Sequence, residues 1–172
     1  MGSVTTFDRL VGKMDGAMVV VTTAHDDERS GCLVGFHGQC SIEPPLYAVW
    51  LSVANRTYEV ARSARCVAVH VLDRADRSVA ELFGAITGDE VDKFSLCQWT
   101  AGTDGVPLLS RCPNRMVLER VLEFDVGGDH VCFVGRPSAV EHSPEHSPEL
   151  HPLRLSQVID IVAGHQPDER RG

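Results

Sequence analysis

Residues Gly31 to Thr57 read GCLVGFHGQCSIEPPLYAVWLSVANRT, and the organisation of the chain follows from them. The first part is a strand-like run interrupted by Gly31, Gly35 and Gly38, where a missing Cβ lets the backbone approach a flat ligand. Pro44-Pro45 stops that ladder from continuing. Leu46 to Val53 is almost continuously apolar, as expected of a central strand. It runs into Asn55-Arg56-Thr57, where Asn55 and Thr57 are natural helix caps. A helix start at 56 to 58 offers free N–H groups beside the Arg56 guanidinium, and that combination holds anions. The segment therefore suits a ligand with one planar apolar end and one phosphate end.

Working outward, Phe7 to Met14 is apolar at 7, 10, 11 and 14 and reads as a short amphipathic helix. Ala17 to Thr23 is a β-branched strand, HDDERSG a turn, and Cys32 to Cys40 a second strand. Helices are expected from Thr57 to Arg65 and from Ser78 to Phe83, the latter capped by Asp76 or Ser78 and ended by Gly84. Cys66 to Leu72, Met116 to Val126 and Val131 to Val140 supply three more strands, the last two joined at Gly127-Gly128-Asp129. The Gly-, Asp- and Pro-rich stretch from Thr87 to Arg115 is a long excursion, of the kind that is usually functional or disordered. Six strands, turns between them and only short helices predict a mainly β, antiparallel, closed barrel. No strand is followed by G-x-G-x-x-G, which argues against a Rossmann fold.

Residues 1–140 form one expected domain. The extension 141–172, with its HSPE-HSPE tandem, is expected to be part loop and to cover an edge of the barrel or of a partner subunit. At 172 residues and 43% hydrophobic the chain has material for one real core. A net charge of −8 argues against nucleic acid or an anionic membrane as partner. No apolar run reaches membrane-spanning length and no signal-peptide pattern opens the chain. Six scattered cysteines without a C-x-x-C pair suggest buried thiols in a reducing cytoplasm.

Asn55, Arg56 and Thr57 are the candidate phosphate residues, and a flavin mononucleotide has the required two-ended shape. Strand alternation puts His37 and Gln39 on one side and Cys40 on the other. His70, between valines, reads as a core histidine. His142, His146 and His151 are interleaved with Pro144, Pro148 and Pro152, which prevent a helix that would align them on a metal, so no metal site is expected. Lys93, Phe94 and Trp99 sit in the long excursion, placed either to cover a ligand or to anchor the loop.

S-I-E-P-P-L at 41 to 46, behind Gly31, resembles a segment of the flavin reductase family, and N-R-T-Y-E at 55 to 59 resembles that family's helix start. L-F-G (82 to 84), D-K-F (92 to 94), Trp99, G-V-P-L-L (105 to 109) and G-D-H-V-C-F-V-G (128 to 135) follow in the family's order. The resemblance covers roughly residues 7 to 140. It implies a six-stranded split barrel of Greek-key type that binds FMN, or FAD, normally as a homodimer. It also implies hydride transfer from NADH or NADPH to flavin, which many members pass on to a partner monooxygenase. Carried onto this chain, it places the ring against Cys32, Leu33, Val34, Gly35, Gln39, Cys40 and Ser41, and the phosphate at Asn55, Arg56 and Thr57. Lys93 and Phe94 become further contacts, and His130 becomes the residue that helps position the nicotinamide. Where the family usually has Thr-Ala-Asn-Ser, this chain has Leu33-Val34-Gly35-Phe36, so backbone groups would make the ring contacts. A flavin-binding carrier or sensor without turnover, a deazaflavin-dependent reductase and a barrel without ligand remain open alternatives.

Overall fold

The computed structural model describes residues 5–88, 91–143 and 149–164. Among them, seven antiparallel strands form one curled sheet: β1 (Val19–His25), β2 (Glu28–Val34), β3 (His37–Ser41), β4 (Leu46–Ser52), β5 (Cys66–Val71), β8 (Arg115–Phe124) and β9 (His130–Glu141). Its order is β2-β1-β5-β8-β9-β4-β3. The two outermost strands, β2 and β3, are consecutive in sequence and joined only by Gly35-Phe36. The sheet must therefore curl until its two edges meet. The seam is held where Trp50 N–H donates to the Phe36 carbonyl at 2.9 Å.

The seventh strand is a correction to the six expected. Cys32 to Cys40 is not one strand, because the chain changes partners at Gly35, pairing with β1 before it and with β4 after it. A short hairpin, β6 (Trp99–Ala101) with β7 (Pro107–Leu109), lies within the long excursion.

β1 is buried at six consecutive positions because both its faces are covered. Val19 and Val21 face the barrel interior with Val49, Leu51, Val69 and Phe133. Met18 and Val20 face outward into a second cluster with Phe83, Phe94, Leu153 and Val158. That second layer is built by α3 (Arg77–Ala85), the 93–99 loop and the C-terminal segment. α2 (Arg56–Ser63) packs Ala61 and Tyr58 against the interior cluster.

α1 (Thr6–Gly12) forms as expected, closed by a Thr5–Asp8 capping box, yet it buries no residue. Its apolar stripe, Phe7, Leu10 and Val11 with Met14 just beyond, faces solvent. Asp76 precedes α3 without capping it; its carboxylate instead accepts from the Asp73 N–H and from Arg111. The C-terminal segment lies on the barrel, with Leu153 1% exposed and bridges Ala17–Arg154 and Asp73–Pro152. His146, in the tandem, lies outside the described residues.

Candidate functional site

Three cavities that share walls run along the outer side of β2. The first, of about 300 Å³, is bounded by Met18, Leu33, Gly35, Phe36, Trp50 and His130, with Cys32, Val34, Ser52, Asn55 and Leu155 completing it. The second, of about 270 Å³, continues from Met18, Leu33 and Asn55 to Phe83, Gly88 and Lys93. The third, of about 290 Å³, shares Gly88 and Lys93 and ends among Glu28, Arg29, Ser30 and Asp92. Each is near the lower limit for a ligand pocket, and together they form a groove apolar at one end and charged at the other.

At the apolar end His130 opens β9 and its ring meets Phe36 edge-on at 5.1 Å. Its Nδ1 lies 2.8 Å from Asp129 Oδ1. A carboxylate only accepts, so Nδ1 carries a proton, and whenever the ring is neutral Nε2 is left as an acceptor. The same bond holds the Asp129 carboxyl below its usual range. Gly35 stands where a Cβ would meet Met18 Sδ at 3.4 Å, so the bare backbone there is flanked by an apolar side chain. Burial pushes the Cys32 thiol up to about 11, which keeps it protonated and makes it a wall rather than a nucleophile.

The three glycines of the opening stretch have different reasons. A Cβ on Gly31 would lie 2.9 Å from Phe83 Cε1, so that glycine is required by packing within the chain. A Cβ on Gly38 would meet nothing. Gly31 borders the charged cavity and Gly35 the apolar one, while Gly38 borders none of the three.

Asn55 caps α2 as expected, its Oδ1 accepting from Thr57 N–H at 3.1 Å. Tyr58 N–H donates to the Asn55 carbonyl, so two of the three N–H groups at 56 to 58 are engaged by Asn55. Thr57 is fully buried and its hydroxyl lies 3.0 Å from that of Ser30. Arg56 is clamped between Glu59 and Glu28, and these bonds raise its already high pKa. An anion arriving at this helix start must therefore compete with two carboxylates. Lys93 is 4% exposed and donates to the carbonyls of Gly31 (3.0 Å) and Phe83 (3.2 Å), tying the excursion to β2 and α3. Phe94 packs edge-on against Phe83 and Trp99, both at 5.7 Å, while still bordering the charged cavity.

The structure thus gathers Cys32, Leu33, Val34, Gly35, Asn55, Lys93, Phe94 and His130 along one groove, with Arg56 beside Gly88 on its wall. Gln39, Cys40 and Ser41 border none of its three cavities; they lie beyond the seam on β3, where Gln39 Nε2 donates to the Ser41 carbonyl. His37 is engaged structurally, with Tyr47 Oη at 2.7 Å and the Ala17 carbonyl at 2.8 Å. Met18, Trp50, Phe83 and Leu155 belong to the groove and were not anticipated from sequence. Trp50 and Ser52 share a strand face by alternation, a signal that was legible. Nothing local marks Leu155, which comes from more than a hundred residues away. Among the described residues no three His, Cys, Asp or Glu side chains converge as metal ligands.

The groove fits a two-ended planar anion. Leu33, Met18, Phe36 and Leu155 offer flat apolar walls, and Ser30, Arg29 and Lys93 line the other end together with Asp27, Glu28 and Asp92, with Arg56 against Gly88. The family of flavin reductase like domains matches residues 11–157. A protein of Rhizobium meliloti (strain 1021) whose name assigns it to the flavin reductases is 32% identical over 135 residues, covering 73% of this chain and 40% of its own length. HsaB of Mycobacterium tuberculosis (strain CDC 1551 / Oshkosh), the reductase subunit of a flavin-dependent monooxygenase, is 26% identical over 83% of this chain and 74% of its own. The chain thus spans less than half the length of the first relative and about three quarters of the second. The crystal structure of an FMN-binding protein from Thermus thermophilus superposes with a TM-score of 0.72 at 25% identity, covering 80% of this chain and 77% of that one. Split-barrel architecture, a groove of matching chemistry and a family match over most of its residues agree: this chain belongs to the flavin reductase family.

Proposed function

We propose that this protein is an NAD(P)H-dependent flavin reductase that binds FMN, with FAD as the alternative flavin, and supplies reduced flavin to a partner monooxygenase. The observation that carries the reading is the groove, which joins the apolar wall at Leu33 to Phe36, the His130 imidazole and the charged end near Arg56. Bound flavin would supply the two-electron acceptor, so the protein's task is alignment and exclusion of water rather than acid–base catalysis. Leu33, Gly35 and Phe36 would present backbone and apolar surface to the ring. Arg56, exchanging a carboxylate, and Asn55 would hold the phosphate, while Thr57, fully buried and bonded to Asn55 and Ser30, would support them from behind. His130, with Nδ1 committed to Asp129, offers Nε2 as acceptor to the amide of a nicotinamide.

The monooxygenase partnership is supported by the mycobacterial relative's name. A homodimer is supported by the solvent-facing apolar stripe of α1. A cytoplasmic setting is supported by six free cysteines.

The test is oxidation of reduced nicotinamide while FMN is titrated in. Saturable FMN-dependent turnover is expected, with the FMN requirement raised roughly tenfold in Arg56→Ala by loss of a charge-assisted contact. Flavin retained without oxidation of NADH or NADPH would instead identify a redox carrier.

A further inference from the structure

The middle cavity has a wall built by the C-terminal segment, most of it beyond the family match. Leu155, Val158, Ile159 and Ile161 line it, facing Leu33 and Phe83, and Leu155 reaches on into the apolar end. The family match stops at residue 157, so Val158, Ile159 and Ile161 lie beyond it. The segment is seated closely: a Cβ on Gly84 would fall 3.0 Å from Leu33 Cδ2 and 3.2 Å from Ile161 Cγ2. A side chain at 84 would press on both.

Polar latches fix the segment at both ends. Asp15 accepts from Ser156 N–H at 2.7 Å and from its hydroxyl at 2.9 Å, and Leu155 N–H donates to the Gly16 carbonyl at 3.0 Å. Arg77 reaches Asp160 at 2.7 Å and also donates to the Gln157 carbonyl. Beyond them Gly164 N–H meets the Gly84 carbonyl at 3.1 Å. Ile159 borders the cavity yet is 79% exposed, apolar surface that a ligand in the groove would cover.

We propose that residues 155–161 form a flavin-binding wall, in which Leu155, Ile159 and Ile161 close against the bound cofactor and slow its release. This rests on the flavin reading above. Most of the latches are exposed ion pairs and hydrogen bonds, individually weak, so Ile159 and its neighbours can shift to exchange flavin while Val158 stays in the outer core.

The experiment measures FMN binding by flavin fluorescence in the full-length protein, as an equilibrium titration and as release on dilution. Wild type, Ile159→Ser, Ile161→Ser and Arg77→Ala are compared, and each ligand-free protein is also melted. The two isoleucine variants are expected to release FMN roughly three- to tenfold faster with a matching rise in Kd. Arg77→Ala is expected to follow in the same direction. Ile159→Ser should melt with the ligand-free wild type, because its side chain is already exposed. Wild type that binds FMN while both isoleucine variants release it at the wild-type rate overturns the wall and leaves the reductase reading standing. Tighter binding in those variants also overturns it, since the segment would then obstruct the groove. Wild type that binds neither FMN nor FAD in the same titration overturns both readings.

Discussion

His70 shows how one residue of β5 is governed by its surroundings. It is fully buried, 3.3 Å from the Val20 carbonyl through Nδ1, and it accepts from Leu109 N–H at 3.1 Å through Nε2. Both bonds require the neutral ring protonated on Nδ1. Burial lowers its pKa from 6.5 to about 3, against a smaller opposing effect of the Val20 bond. The unfolded chain therefore binds the proton that the fold excludes. The stabilisation is complete above about pH 6.5 and is lost as pH falls from there toward 3. Urea unfolding should lose up to about 1.4 kcal/mol per pH unit in that window. His70→Gln should remove this share of the slope; an unchanged pH dependence would refute the assignment. The glycines differ at the same scale. Gly31→Ala should cost about 1–3 kcal/mol by pressing on Phe83, while Gly38→Ala, which meets nothing, should stay within about 0.5 kcal/mol. Equal melting temperatures for the two variants would contradict the packing account.

At the scale of elements, the start of α2 sets two demands against each other. Asn55 occupies the Thr57 N–H, while Glu28 and Glu59 occupy Arg56. This arrangement stabilises the ligand-free helix and leaves the anion to displace a carboxylate. Glu59→Gln is therefore expected to tighten FMN binding roughly threefold or more by freeing part of the guanidinium, and to leave riboflavin, which lacks the phosphate, unchanged. A parallel gain for riboflavin would show that the effect does not act through a phosphate site. Most elements were legible locally, because the period of the apolar residues and the caps are local properties. The division of Cys32–Cys40 was not, since the exchange of partners at Gly35 depends on which distant strands lie on either side.

For the whole molecule, the consequential fact is that both faces of the sheet are in use. The interior holds a conventional barrel core, and the exterior carries α3, the excursion and the C-terminal segment, with the groove running between these layers. α1 belongs to neither layer. Its exposed Phe7, Leu10 and Met14 suit a second copy of the chain, so sedimentation velocity is expected to give a dimer. Leu10→Glu with Met14→Glu should shift it to the monomer, and a monomeric wild type would dispose of the homodimer reading. By itself the sequence determined the class of fold, the positions of most strands of the main sheet, the Asn55 cap and the family, because alternation, turn chemistry and motif order are written along the chain. Tertiary structure alone decided which residues share the groove: that Gly31 serves Phe83, that Lys93 ties a loop to β2, that Arg56 is already paired, and that Leu155 stands beside Leu33. Those are contacts between segments far apart in sequence, fixed by how the sheet curls and by which side chains then compete for the same space and charge.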